Sequence, residues 1–87
     1  MPNDKEVKAM LSRQVRKFIS HLRQSTPEQI AKEMRKDYPE EKIDRQYINY
    51  QLKSPSWTFI IWLETKGLNL EWLIKGEKDS NIPMLKL

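Results

Sequence analysis

The densest apolar stretch of the chain covers residues 54–77 and reads SPSWTFIIWLETKGLNLEWLIKGE. It contains all three tryptophans and both glycines of the sequence. A helix capped by Ser54 or Ser56 is expected to run to Lys66, because Gly67 suits the left-handed residue that ends a helix. We call residues 54–77 the platform, since no other stretch is dense enough in apolar side chains to nucleate a core.

The second half of the platform predicts a shorter helix. Asn69 offers a cap oxygen for a helix over Leu70–Lys75, and Gly76 is expected to end that helix in the same left-handed way. The platform is therefore expected to consist of two short helices joined by a Gly-Leu-Asn corner.

Length and composition limit the class of protein. A chain of 87 residues allows one domain with a small core, and without cysteine neither a disulfide nor a thiolate metal site can strengthen it. No apolar run approaches the roughly 20 residues that span a bilayer. The N-terminus is charged and lacks the apolar core of a signal peptide. We therefore expect a small cytoplasmic protein with no membrane partner.

Positive charge is concentrated at the start of the chain. Residues 1–36 carry nine Lys or Arg against four Asp or Glu, whereas the remainder is close to neutral and the whole chain has a net charge of +4. This distribution favours a polyanionic partner. The alternative is that Lys and Arg merely keep helical surfaces soluble.

The first 24 residues predict one long amphipathic helix over Asp4–Gln24, capped by Asn3 or Asp4. Its apolar positions recur at spacings of three and four, which places them on one stripe: Val7, Met10, Leu11, Val15, Phe18, Ile19 and Leu22. The opposite face is predicted to form a basic stripe of Arg13, Arg16, Lys17, Ser20 and Arg23.

A second helix is signalled by the sequence Thr26-Pro27-Glu28-Gln29. Thr26 and Gln29 have the spacing of a capping box, and Pro27 fits the first helical position. The inward residues of this helix are predicted to be Ile30, Ala31, Met34 and Tyr38, with Pro39 limiting its extent.

The third helix has two candidate starts. It runs either over Pro39–Leu52 or, with Asp44 as cap, over Arg45–Lys53. Ile43, Ile48 and Leu52 are apolar contacts in both cases. The outward residues are then Arg45, Gln46, Asn49, Tyr50 and Lys53, with Tyr47 at the boundary. Such side chains can read base edges and hold phosphates, although an ordinary polar helix face has the same composition.

The remaining residues, 78–87, are expected to be a tail that is a frayed end, a packing arm or a linker stub. Residues 1–77 then form a single all-α domain, a compact bundle of about five helices. No phosphate-binding glycine loop occurs, and His21 is the only histidine. We therefore expect no enzyme, no catalytic residue, no metal site, no cofactor and no small-molecule substrate.

Residues 63–77 resemble the end of the phage-repressor (Cro-like, XRE) type of helix-turn-helix domain, in which Trp72, Leu73, Gly76 and Glu77 match the closing helix. Residues 43–48 are similar to the start of that family's recognition helix. Residues 29–34 resemble its preceding helix, with Ala31 as the small residue at the helix crossing. Residues 37–42 replace the usual glycine turn, so the resemblance predicts a variant helix-turn-helix with an expanded turn.

The resemblance implies a sequence-specific transcription regulator, a repressor that binds double-stranded DNA as a homodimer. The implied base contacts are Arg45, Gln46, Tyr47 and Asn49. The implied phosphate contacts are Thr26, Gln29, Tyr50 and Lys53. The dimer contact is expected in the last two helices or in Ile82–Leu87, including any exposed part of Trp57, Phe59 or Trp62.

A second interpretation is a helical protein–protein interaction module that keeps this fold without reading DNA. Four carboxylates near the proposed reading face favour it, because they would repel phosphates: Asp37, Glu40, Glu41 and Asp44. A third interpretation is the N-terminal domain of a longer two-domain repressor.

Overall fold

Five α-helices build the structure, a computed structural model that describes residues 3–86. They are α1 (Asp4–Ile19), α2 (Pro27–Asp37), α3 (Arg45–Lys53), α4 (Trp57–Thr65) and α5 (Leu70–Lys75). Within the described residues the only β-type pairing is one antiparallel bridge between Leu68 and Leu85. The predicted all-α class with five helices is therefore confirmed.

Every helix begins at a residue whose side chain accepts a hydrogen bond from the first turn, as the cap signals predicted. The five N-caps are Asn3, Thr26, Asp44, Ser56 and Asn69. Of the alternative caps that the sequence offered, Asn3 and not Asp4 caps α1, and Ser56 and not Ser54 caps α4. At α2 the capping box is complete, with the Gln29 N–H donating to Thr26 Oγ1 and the Thr26 N–H donating to Gln29 Oε1, each at 3.2 Å.

The first helix ends earlier than predicted, at Ile19 instead of Gln24. The N–H groups of His21 and Leu22 donate to carbonyls three residues back, at 3.0 and 2.9 Å, so the chain tightens into turns there. Leu22 nevertheless packs against the core from its turn. The apolar periodicity therefore continues beyond the end of the helix.

The second candidate start of the third helix is the observed one. Asp44 Oδ1 accepts from the Tyr47 N–H at 2.8 Å, and the Asp44 carbonyl accepts from the Ile48 N–H at 3.1 Å. Residues 38–44 form a non-helical connection between α2 and α3, of which Ile43 is buried.

The two glycines of the platform differ in conformation. Gly67 has φ +111°, so the left-handed end of α4 is confirmed. Gly76 has φ −65°, a right-handed helical value, so its predicted left-handed conformation is wrong. A side chain is excluded at Gly76 for another reason, because the Trp72 indole occupies the space where a Cβ would stand.

The platform contributes many of the buried side chains of the core. Phe59 and Leu63 are fully buried and Trp62 is 2% exposed, while the Phe59 and Trp62 rings stack with their centroids 6.1 Å apart. Of the three aromatic residues considered for a dimer contact, Phe59 and Trp62 therefore offer almost no exposed surface, and Trp57, which is 67% exposed, is the one that remains. The other helices bury their apolar faces in the same cluster, including Val15, Phe18, Ile30, Met34, Ile48 and Leu73.

The C-terminal residues return to the corner of the platform. The Asn69 N–H donates to the Met84 carbonyl at 2.9 Å, and the Lys86 N–H donates to the Gly67 carbonyl at 2.8 Å. Ile82 and Met84 pack against the core. Residues 82–86 thus form a packing arm, one of the three expected possibilities. Leu87 of the tail and residues 1–2 of the domain lie outside the described residues.

We predict that Gly67→Ala lowers the free energy of unfolding by about 1–2 kcal/mol, because a Cβ is disfavoured at positive φ. Nothing lies within 4 Å of a Cβ built at Gly67, so the loss reports backbone conformation rather than a clash. Urea unfolding followed by circular dichroism measures it. Lys32→Ala, at an exposed position of α2, is the control and should stay within about 0.5 kcal/mol of wild type.

Candidate nucleic-acid interface

Helix α3 presents one uncovered polar face. Five of its side chains are exposed: Arg45, Gln46, Asn49, Tyr50 and Lys53. At about 100° per residue they fall within an arc of about 140°. On the opposite side Ile48, Gln51 and Leu52 are buried. We call the five exposed residues the α3 face.

Tyr47 lies apart from the other candidate base contacts. Its side chain is half-buried, packs against the core cluster and borders a cleft shared with Tyr38 and Thr58. The structure therefore brings Arg45, Gln46 and Asn49 together on the α3 face and leaves Tyr47 at its margin.

Gln51 is a positioning residue that sequence reasoning missed. Only 5% of it is exposed, and its Oε1 accepts from the Ser56 N–H at 2.7 Å. Because Ser56 caps α4, this bond ties the inner side of α3 to the start of the platform. The available signal was a glutamine at an inward position, between the apolar residues Ile48 and Leu52.

The two candidate phosphate contacts on α2 stand at its N-terminus. Thr26 and Gln29 are both exposed, and the capping box engages Thr26 Oγ1 and Gln29 Oε1. Gln29 thus offers its amide Nε2 hydrogens, beside the positive end of the α2 dipole. Anions are stabilised at such a helix end.

The lengthened connection between α2 and α3 is fixed by hydrogen bonds. Arg35 Nη1 donates to the Ile43 carbonyl at 2.6 Å, and the Glu41 N–H donates to the Tyr38 carbonyl at 3.1 Å. Ile43 is only 4% exposed, so it anchors the connection in the core. Of all helix pairs, α2 and α3 share the most extensive contact, which holds the two helices together despite the missing glycine turn.

Asp37 faces α4. Its Oδ2 accepts from Trp62 Nε1 at 2.7 Å and lies 3.4 Å from Lys66 Nζ. The Lys66 ammonium in turn stands 5.3 Å from the centre of the Trp62 ring. The indole hydrogen bond, together with the nearby Lys66 charge, holds the pKa of Asp37 below its usual value.

The four carboxylates near α3 therefore differ in their surroundings. Asp37 is engaged by Trp62 and Lys66, and Asp44 caps α3 with its Oδ1. Glu40 and Glu41 are exposed in the connection. Among the described residues only Asp37 of these four is paired with a positive side chain, so the repulsion expected from the sequence is reduced at that position.

The basic stripe of α1 is partly neutralised. Arg13 makes a paired bond to Glu77, with Nε and Nη2 at 2.8 and 2.9 Å from the two carboxylate oxygens. This pairing lowers the pKa of Glu77 and raises that of Arg13. Arg16 and Lys17 are exposed on α1, whereas Ser20 and Arg23 of the predicted stripe are exposed beyond its end. Arg13 is thus paired with Glu77 at the end of the platform and is a poor candidate for binding a polyanion.

Residues 3–86 contain no cluster of three or more His, Cys, Asp or Glu side chains that could hold a metal ion. None of the helices in this part of the chain is long and apolar enough to cross a membrane. Comparison of the chain with protein-family profiles, with curated proteins and with solved structures finds no match.

We predict that Asp37→Asn lowers stability at neutral pH and that this loss fades in acid. Asn can still accept the indole hydrogen bond but lacks the charge. Because the pKa of Asp37 is depressed in the folded state, its stabilisation is complete above its ordinary value of 3.8 and is lost as pH falls through the lower folded value. Urea unfolding from neutral pH down to pH ~3 measures the difference.

The control for Asp37→Asn is Glu40→Gln, which removes an exposed carboxylate from the same connection and should change stability by less than about 0.5 kcal/mol. An Asp37→Asn difference that stays constant down to the lowest pH would contradict the role given to the Asp37 charge.

Proposed function

We propose that this protein is a sequence-specific DNA-binding regulator that inserts α3 into the major groove. The observation that carries the proposal is the α3 face, on which five polar side chains remain exposed while Ile48, Gln51 and Leu52 fix the helix to the core. The major groove admits an α-helix, and its base edges are read by side chains of this kind.

The side chains of the α3 face suit two kinds of DNA contact, with base edges and with the phosphate backbone. Arg45 can make two parallel bonds to guanine, and Gln46 and Asn49 can do the same with adenine. Tyr50 and Lys53 lie on the same exposed arc and suit phosphate contacts, as does Gln29 at the N-terminus of α2. Tyr47 has the weakest support as a base contact because it is half-buried.

Local electrostatics are compatible with a phosphate backbone. The carboxylate of Asp37 is held by the Trp62 indole and Lys66, and that of Asp44 accepts from the first turn of α3. The net charge of +4 adds a non-specific attraction to DNA.

A helix of nine residues reads few base pairs, so specific binding requires more than one copy. The expected target is a two-fold symmetric site whose half-sites are one turn of DNA apart, about 34–36 Å. Regulation of transcription by occupying such a site is the function that the repressor resemblance implies.

A protein-docking module remains the competing function, favoured by the exposed carboxylates Glu40 and Glu41 in the connection. The two functions differ in their response to salt. DNA affinity that arises from several phosphate contacts falls steeply as salt rises, whereas a docking module has at low salt only the weak attraction of its net charge, without a preferred duplex.

Replacing Arg45 and Gln46 by Ala should each cost about 1–3 kcal/mol of discrimination between bases. A preferred duplex is first enriched from a random library with the wild-type protein. Fluorescence anisotropy then compares affinities for that duplex and for a scrambled one. The double variant should bind both duplexes alike, whereas Lys8→Ala, which removes one exposed charge from α1, should retain the preference. Unchanged discrimination by the double variant would refute the proposal.

Lys53→Ala should weaken binding to preferred and scrambled duplexes by the same factor. It should also reduce the slope of log affinity against log salt by about 1, because one phosphate contact is lost. Lys53→Arg keeps the charge and should restore the slope. If Lys53→Ala alters base preference with an unchanged salt slope, the assignment of Lys53 to a phosphate is wrong.

A further inference from the structure

The outer face of α4 is the least charged surface that any helix presents. Trp57 is 67% exposed and Ile61 is 53% exposed, one turn apart. Thr58 and Thr65 are exposed on the same side, and the four residues fall within an arc of about 100°. None of them carries a formal charge, although 32% of the residues in the chain are charged. We call these four residues the α4 face.

Helix α4 is apolar almost all round its circumference, a pattern typical of helices covered on every side. Its inner side is covered, since Phe59 and Leu63 are fully buried. Its outer side exposes a tryptophan and an isoleucine to water. An exposed tryptophan beside an exposed aliphatic side chain, in a patch without charge, is the composition found at the energetic centre of protein interfaces.

Charge identifies the occupant. Glu64 borders the α4 face, is half-buried and lies 3.7 Å from Lys86 Nζ, so its charge is paired within the chain. A partner with a charged surface would leave its own charges unmatched against this face. A second copy of the chain presents the same uncharged patch, as a two-fold contact requires.

We propose that two copies of this protein pair through the α4 face, with Trp57 and Ile61 at the centre of the contact. The role of this pairing at a two-fold DNA site rests on the proposed function. Only three residues separate the end of α3 at Lys53 from Trp57, so α3 ends next to the proposed contact.

The size of the α4 face predicts a weak pairing. One tryptophan contributes about 150–250 Å² at most, and a stable interface buries about 800 Å² on each partner. Four residues on a nine-residue helix fall well short of that area. The pair therefore forms in solution only at high protein concentration, and two adjacent DNA half-sites stabilise it by raising the effective concentration.

Nuclear magnetic resonance of the indole N–H groups tests the contact by dilution. The Trp57 indole signal should shift with protein concentration, because Trp57 enters the contact. The signals of Trp62, which is bonded to Asp37, and of Trp72, which is buried, should stay constant. A Trp57 signal that does not move up to millimolar protein would overturn the proposal.

Ile61→Glu keeps Trp57 as the reporter and places like charges opposite each other across the axis, which should weaken association by more than about tenfold. Thr58→Glu is a second variant of the same face and guards against misfolding of the first. The matched control is Ile74→Glu on α5, where a similarly exposed isoleucine is changed. If the control abolishes the concentration dependence and both α4 variants retain it, the contact lies elsewhere.

Binding to duplexes with one or two half-sites separates this proposal from the proposed function. Wild type and Ile74→Glu should bind two half-sites cooperatively, whereas Ile61→Glu should bind one half-site normally and lose the cooperativity. Self-association without DNA binding would support the α4 contact and refute the regulator. DNA binding that is not cooperative, with a constant Trp57 signal, would refute the α4 contact and leave the regulator in place.

Discussion

The hydrogen bond from Trp62 to Asp37 connects the core of this fold to its candidate interface. An indole N–H needs an acceptor when the ring is buried, and Trp62 is 2% exposed. Asp37, the last residue of α2, supplies that acceptor, with its Oδ2 2.7 Å from Trp62 Nε1. The same bond turns a carboxylate toward α4 and anchors the point where the lengthened connection to α3 begins. The bond thereby ties the end of α2 to the apolar platform, while the Gln51–Ser56 bond ties α3 to it.

Local signals predicted most of the helices correctly. Cap residues such as Thr26, Asp44 and Asn69 act on backbone groups two or three residues away, so their effect can be read from short segments. The end of α1 and the conformation of Gly76 could not be read in this way. Leu22 packs against the core as a helical residue at its position would, although it lies in a turn. Glycine is required at position 76 because the Trp72 ring leaves no space for a side chain, and not because of its φ angle.

The parts of the site that sequence reasoning missed depend on contacts between distant residues. Asp37 and Trp62 are 25 positions apart, and the Arg13–Glu77 pair joins residues separated by 64. Gln51 shows no local sequence signal for its role beyond its inward position, yet it ties α3 to the cap of α4. Patterning placed Arg45, Gln46 and Asn49 correctly on one exposed face, because their positions follow from helical geometry alone.

The central claim is that α3 enters DNA, and a residue-by-residue map of the bound surface tests it most directly. Backbone amide signals would be recorded during titration with a duplex enriched by the wild-type protein, at low and at high salt. We expect the changes to concentrate in residues 45–53 and in the first turn of α2, and to vanish as salt rises. Changes confined to the basic stripe of α1, or no changes at low salt, would contradict the claim.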